Sequence, residues 1–178
     1  MSTQFASIIL VEDDDGHAVL VEKNLRRAGV TSAFVRLRDG QEALDYFFPT
    51  GSTTNLTANF TANPTTNLAA NLTPALTAGN RSGKEFGNCV VLLDVNMPKI
   101  DGIEVLRRLK ANPATVALPV IMLTTTDDPR EIERCYELGC NIYVTKPVEY
   151  DAFIEAVRRL GNFLQVVKVP HARAASPT

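Results

Sequence analysis

Apolar residues recur along this chain in two rhythms. Five short runs are almost continuously apolar: Ser7 to Val11 (SIILV), Ala33 to Leu37 (AFVRL), Val90 to Leu93 (VVLL), Val120 to Leu123 (VIML) and Ile142 to Val144 (IYV). Four of the five are apolar on consecutive positions, as strands covered on both faces must be, and they predict a parallel sheet. Between the runs the spacing changes to three and four. Ala18, Val21, Leu25 and Ala28 share one helical face, with Asp14 or Asp15 as the cap and Gly29 as the stop. The segment DPRE places Asp128 as a cap, Pro129 at the first helical position and Glu131 where it can reach back, and Gly139 ends that helix. Phe153, Ile154, Val157 and Leu160 mark a fifth helix. The alternation predicts an α/β fold, a five-stranded parallel doubly wound sheet in a three-layer αβα arrangement.

One stretch breaks the alternation. Residues 49–84 fall between the second helix and the third strand; from Asn55 they repeat every four residues, and no charged residue occurs between Asp45 and Arg81. A period of four is close to a helical turn, so Leu56, Phe60, Leu68, Leu72 and Leu76 would form a drifting stripe on a helix. Asn and Thr are poor helix formers and Pro64 and Pro74 interrupt twice, which favours a largely disordered surface excursion. Loop-closure entropy grows only logarithmically, so the excursion costs the fold about 1 to 2 kcal/mol. The expectation is one domain over residues 1–164, interrupted at 49–84 and followed by an extension at 165–178.

Charge and composition narrow the function. The 178 residues carry a formal net charge of −2, and the basic positions are scattered, which gives no electrostatic footprint for nucleic acid. No apolar run approaches a membrane span and no export signal opens the chain, so a cytoplasmic protein without a membrane partner is expected. The N-x-T triplets at Asn55, Asn59 and Asn71 are then incidental. Cys89, Cys135 and Cys140 lack paired metal spacing and read as small buried thiols, and His17 and His171 read as solvated side chains.

The chemistry lies at the strand ends. In an open parallel sheet, ligands bind in the crevice beyond the carboxyl ends of the strands. ILVEDDD delivers Glu12 and Asp13 there with Asp14 beyond, LLD delivers Asp94, MLTTT delivers Thr124 and YVTKP delivers Lys146. Carboxylates about 4 Å apart repel by about 4 kcal/mol per pair at an effective dielectric of about 20, so a cation is required. Oxygen-only ligation selects a hard ion, and few protein ligands with room for waters and a phosphate oxygen favour Mg²⁺ over Ca²⁺. A carboxylate beside Mg²⁺ and an ammonium is equipped to attack a phosphoryl group, because the metal, Lys146 and Thr124 can each neutralise the charge that develops on its oxygens. Asp94 is then the nucleophile. Singly, an Asp after a strand is a cap, DDD opens a helix and a lysine is solvated. The coincidence at four strand ends carries the assignment.

ILVEDDD, LLDVNMPKIDG, MLTTT and YVTKP together resemble the signature of the receiver domain of two-component response regulators, over residues 6 to 164 apart from the excursion. The resemblance implies a flavodoxin-like sheet of order 2-1-3-4-5. It implies Asp94 as the phosphoacceptor, charged by a sensor histidine kinase or a phosphotransfer protein. Asp13 would hold Mg²⁺ directly and Glu12 through water, with Asp94 and the Asn96 backbone carbonyl as further ligands, while Thr124 and Lys146 would grip the phosphoryl oxygens. In the implied switch Thr124 moves inward and Tyr143 rotates into the vacated space, and the repacked surface of helix 4, strand 5 and helix 5 meets a downstream protein. Asn96 and Thr126 match positions that tune dephosphorylation; both are small, so a labile phosphoaspartate is expected. A cis peptide before Pro147 is also implied.

Only QVVKVPHARAASPT follows the fifth helix, so the output is expected to be protein contact, as in stand-alone receivers. LRDGQEALDYFF, LKANPATVALPVIMLTTTDD and FLQVVKVP are similar to the subgroup paired with bacterial phytochrome-type kinases, from which the excursion departs. In that subgroup Val166, Val167 and Val169 would support a homodimer through the helix 4, strand 5 and helix 5 face; otherwise they form a final short strand or a cover for the core. Two other classes stand beside this one. A haloacid dehalogenase-like phosphatase needs a second acid two residues after its nucleophile, where this chain has Asn96, and a receiver fold that never accepts phosphate would lack Asp94 or Lys146.

Overall fold

The computed structural model describes residues 5–49, 86 and 88–167. Ten elements alternate strictly: β1 (Ser7–Val11), α1 (Asp15–Arg27), β2 (Ala33–Leu37), α2 (Gly40–Phe47), β3 (Cys89–Leu93), α3 (Gly102–Ala111), β4 (Val120–Thr124), α4 (Pro129–Glu137), β5 (Ile142–Thr145) and α5 (Tyr150–Val166). The strands form one parallel sheet in the order β2-β1-β3-β4-β5. The expected α/β sheet and its order are both present.

Strand alternation divides the core in two, because successive side chains leave a strand on opposite faces. Ile8, Leu10, Val90, Leu92, Ile121 and Leu123 pack with Val21 and Leu25 of α1 and with Phe153, Val157 and Leu160 of α5. Ile9, Val11, Val91, Leu93, Val120 and Met122 face Ala43 and Phe47 of α2, Val105 and Leu109 of α3, and Cys135 of α4. β3 and β4 are buried at every position, whereas the edge strands β2 and β5 are mostly half-buried. This is why β2 tolerates a charged residue, Arg36, in mid-strand.

The caps resolve what periodicity left open. Asp14, not Asp15, caps α1, its carboxylate accepting from the His17 amide at 2.7 Å. Asp39 and Asp101 cap α2 and α3 in the same way. Gly29 and Gly139 take φ of +89° and +96°, the left-handed stops that only glycine adopts without strain. Asp128 caps α4 through the Arg130 amide. Glu131 does not reach back to complete a capping box; its carboxylate accepts from the Tyr143 hydroxyl instead. β3 begins one residue earlier than the apolar run, and β4 and β5 each run one residue further.

Two other expectations meet the structure only in part. α5 continues to Val166, so the expected extension from residue 165 starts inside the helix; Val166 is exposed and Val167 packs on the α1–α5 side of the core as a cover. Val169, His171 and the rest of the extension lie outside the described residues, as does the excursion beyond Pro49. Where the chain returns to the sheet, Phe86 is buried against Phe47, with ring centroids 5.3 Å apart. Among the described residues no helix is long and apolar enough to cross a membrane.

All three cysteines are buried and free, as their spacing predicts. Burial pushes the Cys135 thiol up to about 11 and raises Cys89 and Cys140 above their ordinary range. A raised thiol stays protonated near neutral pH and is a poor nucleophile. The native protein is therefore expected to react slowly with dithionitrobenzoate at pH 8, and the denatured protein to release colour rapidly for all three. One fast-reacting native thiol contradicts this burial.

Candidate functional site

Register brings the site residues together. β1 and β3 pair with Val11 opposite Leu93, so the next residues, Glu12 and Asp94, emerge side by side at the carboxyl edge. Thr124 is the last residue of β4, paired with Thr145, and the Lys146 amide donates to the Thr124 carbonyl at 2.6 Å. β5 lies two strands from β3, about 10 Å away at the usual strand spacing. A long flexible cation is needed to cross that distance. The Lys146 ammonium donates to Asp94 Oδ2 at 2.6 Å and to Glu12 Oε2 at 2.5 Å.

These groups are deeply buried: Lys146 is 2% exposed, Glu12 1%, Asp94 6% and Thr124 0%. Carboxylate oxygens of Glu12, Asp13 and Asp94 lie within 4.8 Å of one another. Burial raises the Glu12 carboxyl above its ordinary range, the attraction of Lys146 opposes this, and repulsion from Asp94 adds to it. Asp13 is exposed, and no described residue hydrogen-bonds its carboxylate. The donors are all oxygens, and one carboxylate is free to ligate. This set fits a hard divalent cation such as Mg²⁺.

The neighbouring loops tie Asp94 to the end of β4. The Asn96 amide N–H donates to Asp94 Oδ1 at 3.3 Å, and its side-chain amide donates to the hydroxyls of Thr124 at 3.3 Å and Thr125 at 3.4 Å. The Thr126 amide donates to the Thr124 hydroxyl oxygen at 3.3 Å. Met97 is buried, Lys99 takes φ of +67°, and the Lys99 ammonium is 2.5 Å from the Asp39 carboxylate, which ties the loop after β3 to the start of α2. Gly102 packs so closely on the Asp94 carbonyl that a Cβ there would collide with it. Tyr143 is half-buried on β5; its hydroxyl lies 2.8 Å from Glu131 Oε1 and 3.0 Å from the Thr126 carbonyl, and burial and this carboxylate together raise its pKa.

The structure thus gathers Glu12, Asp13, Asp94, Asn96, Thr124 and Lys146 at one edge, with Thr126 and Tyr143 one layer away. Three features depart from the sequence reading. The peptide before Pro147 is trans, the isomer the tertiary amide favours by about 0.5 to 1 kcal/mol, and Lys146 reaches both acids from it. His17 is not simply solvated: it sits 3.7 Å from Glu12 and against Phe153, because the cap turns the first turn of α1 back over the strand end. Arg36 belongs to none of the strand-end motifs, yet its guanidinium donates to the carbonyls of Glu12 and Asp13. An isolated charge in an edge strand is the signal that marks it.

Comparison with known proteins agrees with this geometry. Residues 65–158 match the response regulator receiver domain family. The chain is 30% identical over 166 residues to response regulator Rcp1 of Synechocystis, covering 93% of each. Among solved structures it is similar to a response regulator receiver domain from Rhodospirillum rubrum, with 41% identity, a TM-score of 0.70 and coverage of 93% of this chain and 97% of that one. It is also similar to the phosphorylated cyanobacterial phytochrome response regulator RcpA, with 28% identity, a TM-score of 0.68 and coverage of 93% and 98%. Rcp1 has been solved in a Mn²⁺-bound form.

Among the described residues Lys146 is the one cation that hydrogen-bonds the buried carboxylates of Glu12 and Asp94. Removing one partner of a buried charge cluster costs about 3 to 5 kcal/mol. Lys146→Met is expected to lose that much stability to urea at neutral pH in metal-free buffer. Glu12 is already raised, so the folded state takes up protons more readily than the unfolded chain as pH falls. The penalty is therefore full at neutral pH and shrinks as Glu12 protonates. Equal loss at pH 4 and pH 7 contradicts the electrostatic origin.

Proposed function

This chain belongs to the response regulator receiver family of two-component signalling, and from that membership we propose that Asp94 accepts a phosphoryl group from a sensor histidine kinase. The observation that carries the reading is the buried Lys146 ammonium shared between Asp94 and Glu12. An Asp94 oxygen forms the new P–O bond as the P–N bond to the donor imidazole breaks. Lys146, released from part of its bonding to Glu12, follows the charge onto a phosphoryl oxygen, and the Thr124 hydroxyl donates to another. Glu12, Asp13, Asp94 and the Asn96 carbonyl would hold Mg²⁺, which when bound neutralises charge on the transferring group.

Phosphorylation would then act as a switch. Thr124 is drawn toward the new oxygens and leaves the amides of Asn96 and Thr126, and Tyr143, held by Glu131 and the Thr126 carbonyl, repacks. The surface of α4, β5 and α5 is the proposed contact for a downstream protein, and for a homodimer in which the C-terminal tail takes part. Similarity to Rcp1 and to the phytochrome response regulator RcpA supports a phytochrome-type kinase as donor. The activity is confined to self-phosphorylation and dephosphorylation, and the location is cytoplasmic. A phosphatase of the aspartyl class is disfavoured because the residue two beyond Asp94 is Asn96, whose amide is committed to Thr124 and Thr125.

Incubation with acetyl phosphate and Mg²⁺ is expected to add about 80 Da, one phosphoryl group, with no gain in Asp94→Asn. Asn96 and Thr126 leave room for an attacking water, so the adduct should decay in minutes once the donor is removed. Sustained turnover of phosphate esters favours the hydrolase, and an adduct that persists for many hours contradicts the tuning assigned to Asn96 and Thr126.

A further inference from the structure

Arg36 occupies the place where the ladder between β1 and β2 runs out. The Glu12 amide makes the last bond of that ladder, to the Leu37 carbonyl at 3.0 Å. Beyond it the carbonyls of Glu12 and Asp13 have no strand to pair with, and a backbone acceptor left unpaired is costly. The Arg36 guanidinium fills both: Nε and Nη2 donate to the Glu12 carbonyl at 3.2 and 3.1 Å, and Nη2 donates to the Asp13 carbonyl at 3.2 Å. Its remaining arm, Nη1, donates to the Asp15 carboxylate at 2.5 Å. One rigid, planar fork thus bonds three of the four acidic residues in the run from Glu12 to Asp15, passing over Asp14.

Glu12 and Asp94 are aimed by Lys146, but the Asp13 carboxylate has no described partner, so its direction follows from its own backbone. We propose that Arg36 is a positioning residue for the metal site: by gripping the carbonyls on either side of the Asp13 α-carbon, it fixes the direction in which Asp13 presents its carboxylate to the cation. This rests on reading Asp94 as a Mg²⁺-dependent phosphoacceptor. A nearby positive charge would by itself repel Mg²⁺. Asp15 faces that charge at salt-bridge distance and offsets it, so orientation outweighs repulsion and loss of Arg36 weakens binding. Partners that orient metal ligands from behind are typically worth about 10-fold to 100-fold in metal affinity.

The test is direct Mn²⁺ binding by electron paramagnetic resonance on the full chain and on Arg36→Gln and Arg36→Lys, with urea unfolding as the folding control. Arg36→Gln is expected to bind about 10-fold more weakly, while at saturating Mg²⁺ its rate of phosphorylation by acetyl phosphate returns close to that of the parent. A residue that merely braces the fold would instead lower the midpoint of unfolding and leave metal affinity alone. Arg36→Lys keeps the charge but cannot span both carbonyls and Asp15, so it too should bind more weakly, and it decides the matter if Arg36→Gln does not fold. Parental affinity in the folded variants overturns the role of Arg36 and leaves the Asp94 reading standing. A parent chain that binds no Mn²⁺ removes both.

Discussion

A single buried ammonium organises the carboxyl edge of this sheet. Lys146 reaches from β5 past β4 to meet Asp94 from β3 and Glu12 from β1, all three nearly excluded from water. Buried like charges are tolerated only when paired and hydrogen-bonded. The lysine therefore supplies the resting site with the positive charge that keeps the two carboxylates together. It holds two carboxylates close enough to ligate a cation, at a cost that the rest of the fold must offset. With three carboxylates and one ammonium the cluster remains two positive charges short, and Lys146 does not bind the third carboxylate, Asp13. That deficit is the electrostatic invitation to a divalent ion.

The remainder of the fold can be understood as support for that contact. A sheet whose central strands are buried on both faces cannot slip by a residue without turning its core inside out. This fixes Glu12 beside Asp94 and Thr124 beside Thr145. α1 is capped by Asp14, immediately after Glu12 and Asp13, so the turn that ends β1 also starts the helix. Gly102 lets α3 begin against the Asp94 carbonyl, and Lys99 ties the intervening loop to α2. These contacts hold the Asp94 carboxylate and the loop after β3 in place.

Much of this was legible in the amino-acid sequence, for physical reasons. Doubly buried strands leave unbroken apolar runs, and β1 and β2 match their runs residue for residue. Asp and Gly signals mark helix ends because capping is local chemistry. Gathering Glu12, Asp13, Asp94, Thr124 and Lys146 needed only the rule that strand ends converge. What stayed hidden depends on side chains meeting across elements. Glu131 has the spacing of a capping box, but a hydroxyl from β5 competes successfully for its carboxylate. Arg36 and His17 gained their places from the geometry of the turn after β1, which no periodicity encodes.

The most direct test of the central contact is a pair of crystal structures, one metal-free and one with Mg²⁺ and beryllofluoride, a stable mimic of the phosphoryl group. The metal-free structure should place the Lys146 ammonium within hydrogen-bonding distance of both Asp94 and Glu12, and the complex should move it to a fluorine while the three acids stay clustered. A Lys146 directed into solvent, or acids too far apart to share an ion, would contradict the account at its foundation.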